Sequence, residues 1–307
     1  VALLVGTPVF TGISLAESIK LELWTFADTH ADWFRYISDR YKNEVNPNVE
    51  IEVVTMPGLA QYTDRLMLAL AVGEGPDLVD VEQGWFGNFL TLDPVPFVDL
   101  RPLLERGGHL DNMILSRQAL YSWQGKMYGI EHALTPVVMY YRRDLFDNFG
   151  FEPRIETWED YAVLGQKLDR ERHAMDLTQN GLWEMLLRQR GGDLFDAEGN
   201  VTADSEIAIR IFEWMIELDE LGVLSSPPQG DFWAGVADGF YITSVGADWH
   251  GGFIERRLPD QAGLWGAMPL PYWSDDPNRI RTSVNGGTGL AIPVTSQYQE
   301  EAWNFAE

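Results

Sequence analysis

Apolar positions recur along this chain with two periods, and the alternation between the periods predicts an order of elements. Ile19 to Trp24 alternates as a strand does. His30 to Val45 is helical, with Trp33, Phe34, Ile37 and Tyr41 on one face. Val49 to Val54 predicts a second strand and Tyr62 to Val72 a second helix, carrying Leu66, Ala69 and Leu70. Gly73-Glu-Gly-Pro76 breaks that helix, and Asp77 to Val81 follows as a short buried strand. This β-α-β-α-β rhythm predicts a mostly parallel sheet covered by helices.

The second half punctuates differently. Val137 to Tyr141 predicts a strand, and Thr157-Trp-Glu-Asp160 is a capping-box pattern opening a helix to about Arg170. Gly191 to Val201 predicts a hairpin with its turn near Glu198-Gly199. Asp204 and Ser205 cap a long helix whose stripe is Ile207, Ile211, Trp214, Met215 and Leu218, with Gly222 as its stop. Gly239 to Val245 and Thr288 to Ile292 read as strands, and Ser296 as the cap of a last helix carrying Ala302, Trp303 and Phe305. The chain stops inside that helix, which predicts an end short of the whole protein. No internal repeat appears.

Composition narrows the class. The 307 residues suit two domains or one large one, and 45% hydrophobic with 22% charged is ordinary for a globular chain. There is no cysteine, which removes disulfides, thiolate metal sites and a cysteine nucleophile together. The 47 Asp and Glu against 22 Lys and Arg leave a net charge of −25, which repels nucleic acid and anionic membranes and fits a soluble chain or a saline habitat. Residues 1–16 are apolar, small and uncharged, and end in Ser14-Leu15-Ala16. They read as the remnant of a signal peptide, too interrupted by Gly6, Pro8 and Gly12 for a membrane span, with the mature start near Glu17 and a periplasmic or extracellular location.

Catalytic patterns are missing. There is no G-x-S-x-G elbow, no H-E-x-x-H, no phosphate-cradling loop and no dinucleotide fingerprint. The five histidines are scattered, and Gly199 is misplaced for a calcium loop in the Asp196 to Asp204 stretch. The expectation is a protein that binds and does no chemistry, with no cofactor and no metal. Aromatic residues stand out instead: 12 Trp, 11 Tyr and 15 Phe. Trp33, Trp158, Trp214 and Trp303 read as core. Trp85 and Trp249 fall in loop-like contexts just past predicted strands, where ligands of open α/β sheets bind. A tryptophan face beside amides and carboxylates suits a sugar ring and its hydroxyls.

Four stretches, in order, resemble the extracellular solute-binding proteins of ABC importers, the sugar-binding group that includes the maltose binder. They are Ala69-Leu-Ala-Val-Gly73-Glu-Gly-Pro-Asp77; Gly125-Lys-Met-Tyr with Val138-Met-Tyr-Tyr141-Arg-Arg-Asp-Leu-Phe146 and Thr157-Trp-Glu-Asp160; the Gly191 to Leu221 hairpin and helix; and Met268-Pro-Leu-Pro271 with Asn285-Gly-Gly-Thr-Gly-Leu-Ala-Ile292 and Glu301-Ala-Trp-Asn-Phe305. The resemblance implies an α/β, two-lobed periplasmic-binding-protein fold of type II, hinged between two mostly parallel sheets, with the C-terminal part missing. It implies a first lobe of 17–133 and 269–307, a second of 134–268, and ligand in the cleft. By the same resemblance Asp28, Thr29 and His30 face the cleft after the first strand, and Gln83 and Trp85 after the third. Thr135 stands where the maltose binder has an acid, with Glu131 or His132 as replacements; Gln179 and Asn180 offer polar groups; Trp249 stacks on the sugar; and Gly286 and Gly287 let backbone approach it. The implied partners are a carbohydrate, expected to be an oligosaccharide, and the transmembrane permease subunits, with the binder itself a monomer. A polyamine, a compatible solute or a glycerol phosphodiester on the same scaffold, and a secreted glycoside hydrolase with paired carboxylates, remain as alternatives.

Overall fold

The computed structural model describes residues 18–176, 181–196, 199–228 and 230–307. The signal-peptide reading of 1–16 and the ligand candidates Gln179 and Asn180 lie outside the described residues. The chain divides into two compact units: the first runs to Glu131 and resumes from Gly289 to Glu307, and the second is His132–Thr288. The return to the first unit thus comes later than residue 269. Residues 269–288 belong to the second because Leu270 N donates to Arg281 O at 3.0 Å, Trp158 N to Tyr272 O at 3.1 Å, and Leu270 and Trp273 are buried in that unit's core.

In chain order, β1 (Ile19–Thr25), α1 (Asp28–Glu44), β2 (Val49–Thr55), α2 (Leu59–Val72) and β3 (Leu78–Glu82) follow the predicted rhythm. Next come α3 (Gln83–Leu90), α4 (Arg101–Gly107), α5 (Leu115–Gln118), the two-residue strands β4 (Ser122–Trp123) and β5 (Lys126–Met127), and β6 (Ile130–Ala133). The second unit runs through β7 (Val137–Arg142), α6 (Arg143–Phe149), α7 (Trp158–Gly165), α8 (Leu182–Gln189), α9 (Glu206–Glu220), α10 (Phe232–Asp238), β8 (Thr243–Ala247), α11 (Asp248–Arg257) and β9 (Trp265–Met268). Then β10 (Thr288–Ala291) and α12 (Gln299–Ala306) close the chain.

The first sheet has the order β2-β1-β3-β10-β6, with β1 parallel to both β2 and β3. Leu21 and Leu23 of β1 pack with Leu78, Leu290 and Ile292 in one core cluster. Phe86, Phe89, Phe97 and Tyr121 form a second. On α1 the buried face is Ala31, Phe34 and Ser38, and Trp33 is 50% exposed, tilted against Tyr36 at 6.0 Å. Of the predicted stripe, Trp33 alone falls outside the buried face. Phe34, Ile37 and Tyr41 pack into the core as predicted, joined by the small Ala31 and Ser38, and the Ser38 hydroxyl satisfies itself by donating to Phe34 O at 2.6 Å.

The second sheet, β8-β7-β9, is antiparallel at both pairings, not parallel as expected. Strand–helix alternation shows that strands are covered by helices but leaves their direction open. The fully buried β8 reads like a parallel strand because both its faces are covered. The capping box at Thr157 and Asp160 is present, with both reciprocal bonds. α7 stops at Gly165, short of Arg170, where a Cβ would meet Val223 Cγ1 at 2.4 Å. Gly239 ends α10 in the left-handed conformation instead of opening a strand. Ser296 does not cap α12; its hydroxyl donates to Asp77 Oδ1 at 2.6 Å.

Candidate ligand-binding site

At the carboxyl end of the first sheet, the parallel register sets Trp24 beside Val79, and so Thr25 beside Asp80. The Thr25 hydroxyl donates to Asp80 Oδ2 at 2.7 Å, and His30 Nδ1 lies 2.8 Å from the same oxygen. Thr25 and Asp80 are fully buried, while the His30 side chain keeps 19% of its surface. Asp28 and Thr29 open α1, where a carboxylate is favoured by the helix dipole. Gln83 and Trp85 are not in a loop: they occupy the first turn of α3, because the Glu82 carboxylate accepts from Gly84 N at 2.8 Å and starts the helix at once. Burial pushes the Glu82 carboxyl up. Gln83 Oε1 is buried with no hydrogen-bond partner among the described residues. Glu131 is held by Arg117, whose Nε donates to it at 2.6 Å and whose Nη2 also contacts it. Its carboxylate is thereby engaged within the first unit. The Tyr121 hydroxyl lies 3.5 Å from it, and burial raises that phenol well above its ordinary range.

A second group of candidates gathers in the second unit. The β7–β8 register pairs Val137 with Ala247, so the residues before β7 lie beside the start of α11, and Asp248 N donates to Pro136 O at 3.1 Å. Thr135 precedes β7 with φ 47°, and its buried Oγ1 has no partner among the described residues. Its carbonyl accepts from Asn285 N at 3.2 Å. Trp249 is the second residue of α11, again a first turn where a loop was expected. Its indole N–H donates to Asn285 O at 3.1 Å. Gly286 and Gly287 follow with φ 84° and 137°, a region that glycine alone enters easily. The fold therefore brings together Thr135, Trp249, Gly286 and Gly287, with Asn285 at their centre. His132 Nε2 lies 2.9 Å from Thr288 Oγ1.

Two residues escaped the sequence reading. Asp80 was visible as an acid inside the apolar run Leu78-Val79-Asp80-Val81, a position where a carboxylate needs dedicated partners. Asn285 was visible only as the residue before two glycines. Deeper in the second unit, Ser244 Oγ donates to Asp176 Oδ2 at 2.9 Å and lies 2.9 Å from His250 Nε2. Burial lowers His250 to about 4.

Comparison with known proteins places this architecture. The sugar-binding protein MalE of Xanthomonas citri superposes with a TM-score of 0.74 at 20% identity, over 94% of this chain and 74% of that one, and the fold is that of the type II periplasmic binding proteins. The arabinooligosaccharide-binding protein of Bacillus subtilis is 27% identical over 99% of this chain and 73% of its own length. The protein of the same description from Halalkalibacterium halodurans is 31% identical over 96% of this chain and 68% of its own. The family model for bacterial extracellular solute-binding proteins matches residues 27–307, and the chain belongs to that family.

Proposed function

We propose that this chain is the ligand-capturing component of an ABC importer and that its ligand is an oligosaccharide, an arabinooligosaccharide before others. The observation that carries this reading is the match to two arabinooligosaccharide-binding proteins over almost the whole chain. The second unit supports it with a tryptophan whose polar atom is already bonded to Asn285, leaving ring surface for the C–H face of a sugar. Its partners are the transmembrane permease subunits, it works as a monomer, and the net charge of −25 disfavours nucleic acid. It acts in the periplasm or outside the cell; no helix among the described residues is long and apolar enough to cross a membrane.

Binding without catalysis is the second part of the reading. Ser244, His250 and Asp176 have the residue types of a hydrolase triad, but protons run the wrong way. The serine hydroxyl donates to Asp176, so His250 Nε2 must donate to the serine and cannot take its proton. Ser244 is also fully buried. Periplasmic binding proteins as a class exemplify hinge closure around a ligand, and a ligand that favours one arrangement of the two units shifts the population toward it. Calorimetry of the intact protein against arabinotriose, lactose, maltotriose and their monosaccharides tests the reading. Tightest binding of arabinotriose is expected, and silence across the panel overturns the claim.

A further inference from the structure

We propose that the side-chain amide of Asn285 is a ligand contact and a specificity determinant of the second unit, gripping hydroxyls of the sugar ring that stacks on Trp249. This deepens the oligosaccharide reading above and rests on it. Asn285 N donates to Thr135 O at 3.2 Å, and Asn285 O accepts from Trp249 Nε1 at 3.1 Å. Both backbone bonding groups of the residue are therefore engaged. Its neighbours are pinned as well. Val137 N donates to Ser283 O at 2.9 Å, and the Ser283 hydroxyl donates to Met185 O in α8 at 2.5 Å. Thr135 meets Asn285 with φ 47°, a costly conformation for a β-branched residue. Such strain persists only where surrounding contacts over-determine it, and it gathers at functional sites.

The side chain is in the opposite condition. Asn285 is partly exposed, and its amide makes no hydrogen bond among the described residues. A polar group on a fixed backbone, beside an indole whose own N–H is already bonded, is pre-organised for a ligand. The amide also has a preferred orientation. α8 opens at Gly181, which has no side chain to cap it, and a Cβ there would lie 3.8 Å from Asn285 Oδ1. The positive end of the helix favours the amide oxygen on that side and leaves the NH2 donors on the other. One acceptor and two donors in one plane match adjacent sugar hydroxyls, one donating and one accepting. A site built to bond a hydroxyl rejects the analogue that lacks it.

The test titrates the intact protein by calorimetry with arabinotriose and its monodeoxy analogues, in the wild type and in Asn285→Ala. The substitution leaves both backbone bonds of the residue available. The wild type is expected to lose about tenfold in affinity toward at least one deoxy analogue. Asn285→Ala is expected to bind arabinotriose about tenfold more weakly and to lose under about threefold more toward that same analogue, so that the two losses do not add. A wild type indifferent to every deoxy analogue overturns the proposal without any variant. So does an alanine variant with unchanged affinity. A variant that is weakened yet discriminates among the analogues as the wild type does also overturns it, because the amide then acts only through the fold. If Asn285→Ala does not fold, Asn285→Ser carries the same cycle: retained discrimination overturns the idea, and lost discrimination supports it. Failure of the oligosaccharide reading looks different, because the wild type itself is then silent to arabinotriose and the whole panel.

Discussion

Trp249 donates its indole N–H to the backbone carbonyl of Asn285 at 3.1 Å, and this bond ties the first turn of α11 to the Gly286-Gly287 segment. The ring is steadied further by Phe253, with centroids 5.5 Å apart, and by His250 at 6.0 Å. Its polar atom is committed, so it has only ring surface to give a ligand. Trp249→Ala should weaken arabinotriose binding more than tenfold by calorimetry, on the order of 1.4 kcal/mol or more. Trp249→Phe keeps a flat face and loses the bond to Asn285, and should cost less. Unchanged affinity in the alanine variant removes Trp249 from the site.

Gly287 has φ 137°, outside every region an L side chain occupies comfortably, whereas Gly73 at φ 76° ends α2 in the ordinary left-handed conformation. Alanine at the two positions should therefore act unequally. Gly287→Ala should cost about 1–3 kcal/mol of stability, and Gly73→Ala, where a Cβ meets nothing within 4 Å, should sit at or below the lower end. Denaturant midpoints compare the two directly, and equal losses would show that φ at Gly287 is not under constraint.

How far the chain was legible follows from what each residue type signals. Strands β1, β2, β3 and β10, the box at Thr157 and Asp160, and the Ser205 cap, whose side chain accepts from Ala208 N, were readable because each has a local cause within a few positions. On α1, Phe34, Ile37 and Tyr41 were readable as core-facing, but Ala31 and Ser38 give almost no hydrophobic signal and were missed, while the exposed Trp33 gives a strong one and was included. The direction of β8 and β9 was not readable, since it depends on the pairing of residues such as Val137 with Ala247, far apart in sequence. The same holds for the site. Trp249 and the two glycines were singled out, but Asn285, whose backbone binds both Thr135 and Trp249, has a role that no side-chain pattern encodes.

Gln189 is the buried hub of the second unit. Its Oε1 accepts from Trp158 Nε1 at 3.0 Å, and its Nε2 donates to Pro271 O and Ile280 O, each at 2.7 Å. Gln189→Leu preserves volume but leaves an indole N–H and two carbonyls without their partner. Each abandoned buried group costs about 1–3 kcal/mol, so a loss of several kcal/mol is expected in equilibrium unfolding. A loss under about 1 kcal/mol would mean that these groups find other partners.

His250 makes stability depend on pH in a stated direction. It is 1% exposed, ringed by Tyr140 at 5.5 Å and Trp233 at 5.4 Å, and burial lowers it from 6.5 to about 4. The unfolded chain therefore takes up this proton more readily than the folded one, and protonation favours unfolding. The contribution of the neutral ring is complete above pH 6.5 and is lost as pH falls toward 4, amounting to about 3 kcal/mol. Many carboxylates titrate over the same range, so the comparison is with His250→Gln, which keeps an N–H able to reach Ser244 and removes the titration. Between pH 7 and pH 4 the wild type should lose about 3 kcal/mol more than the variant in denaturant unfolding. Parallel losses in the two proteins would mean that His250 is not held neutral by its surroundings.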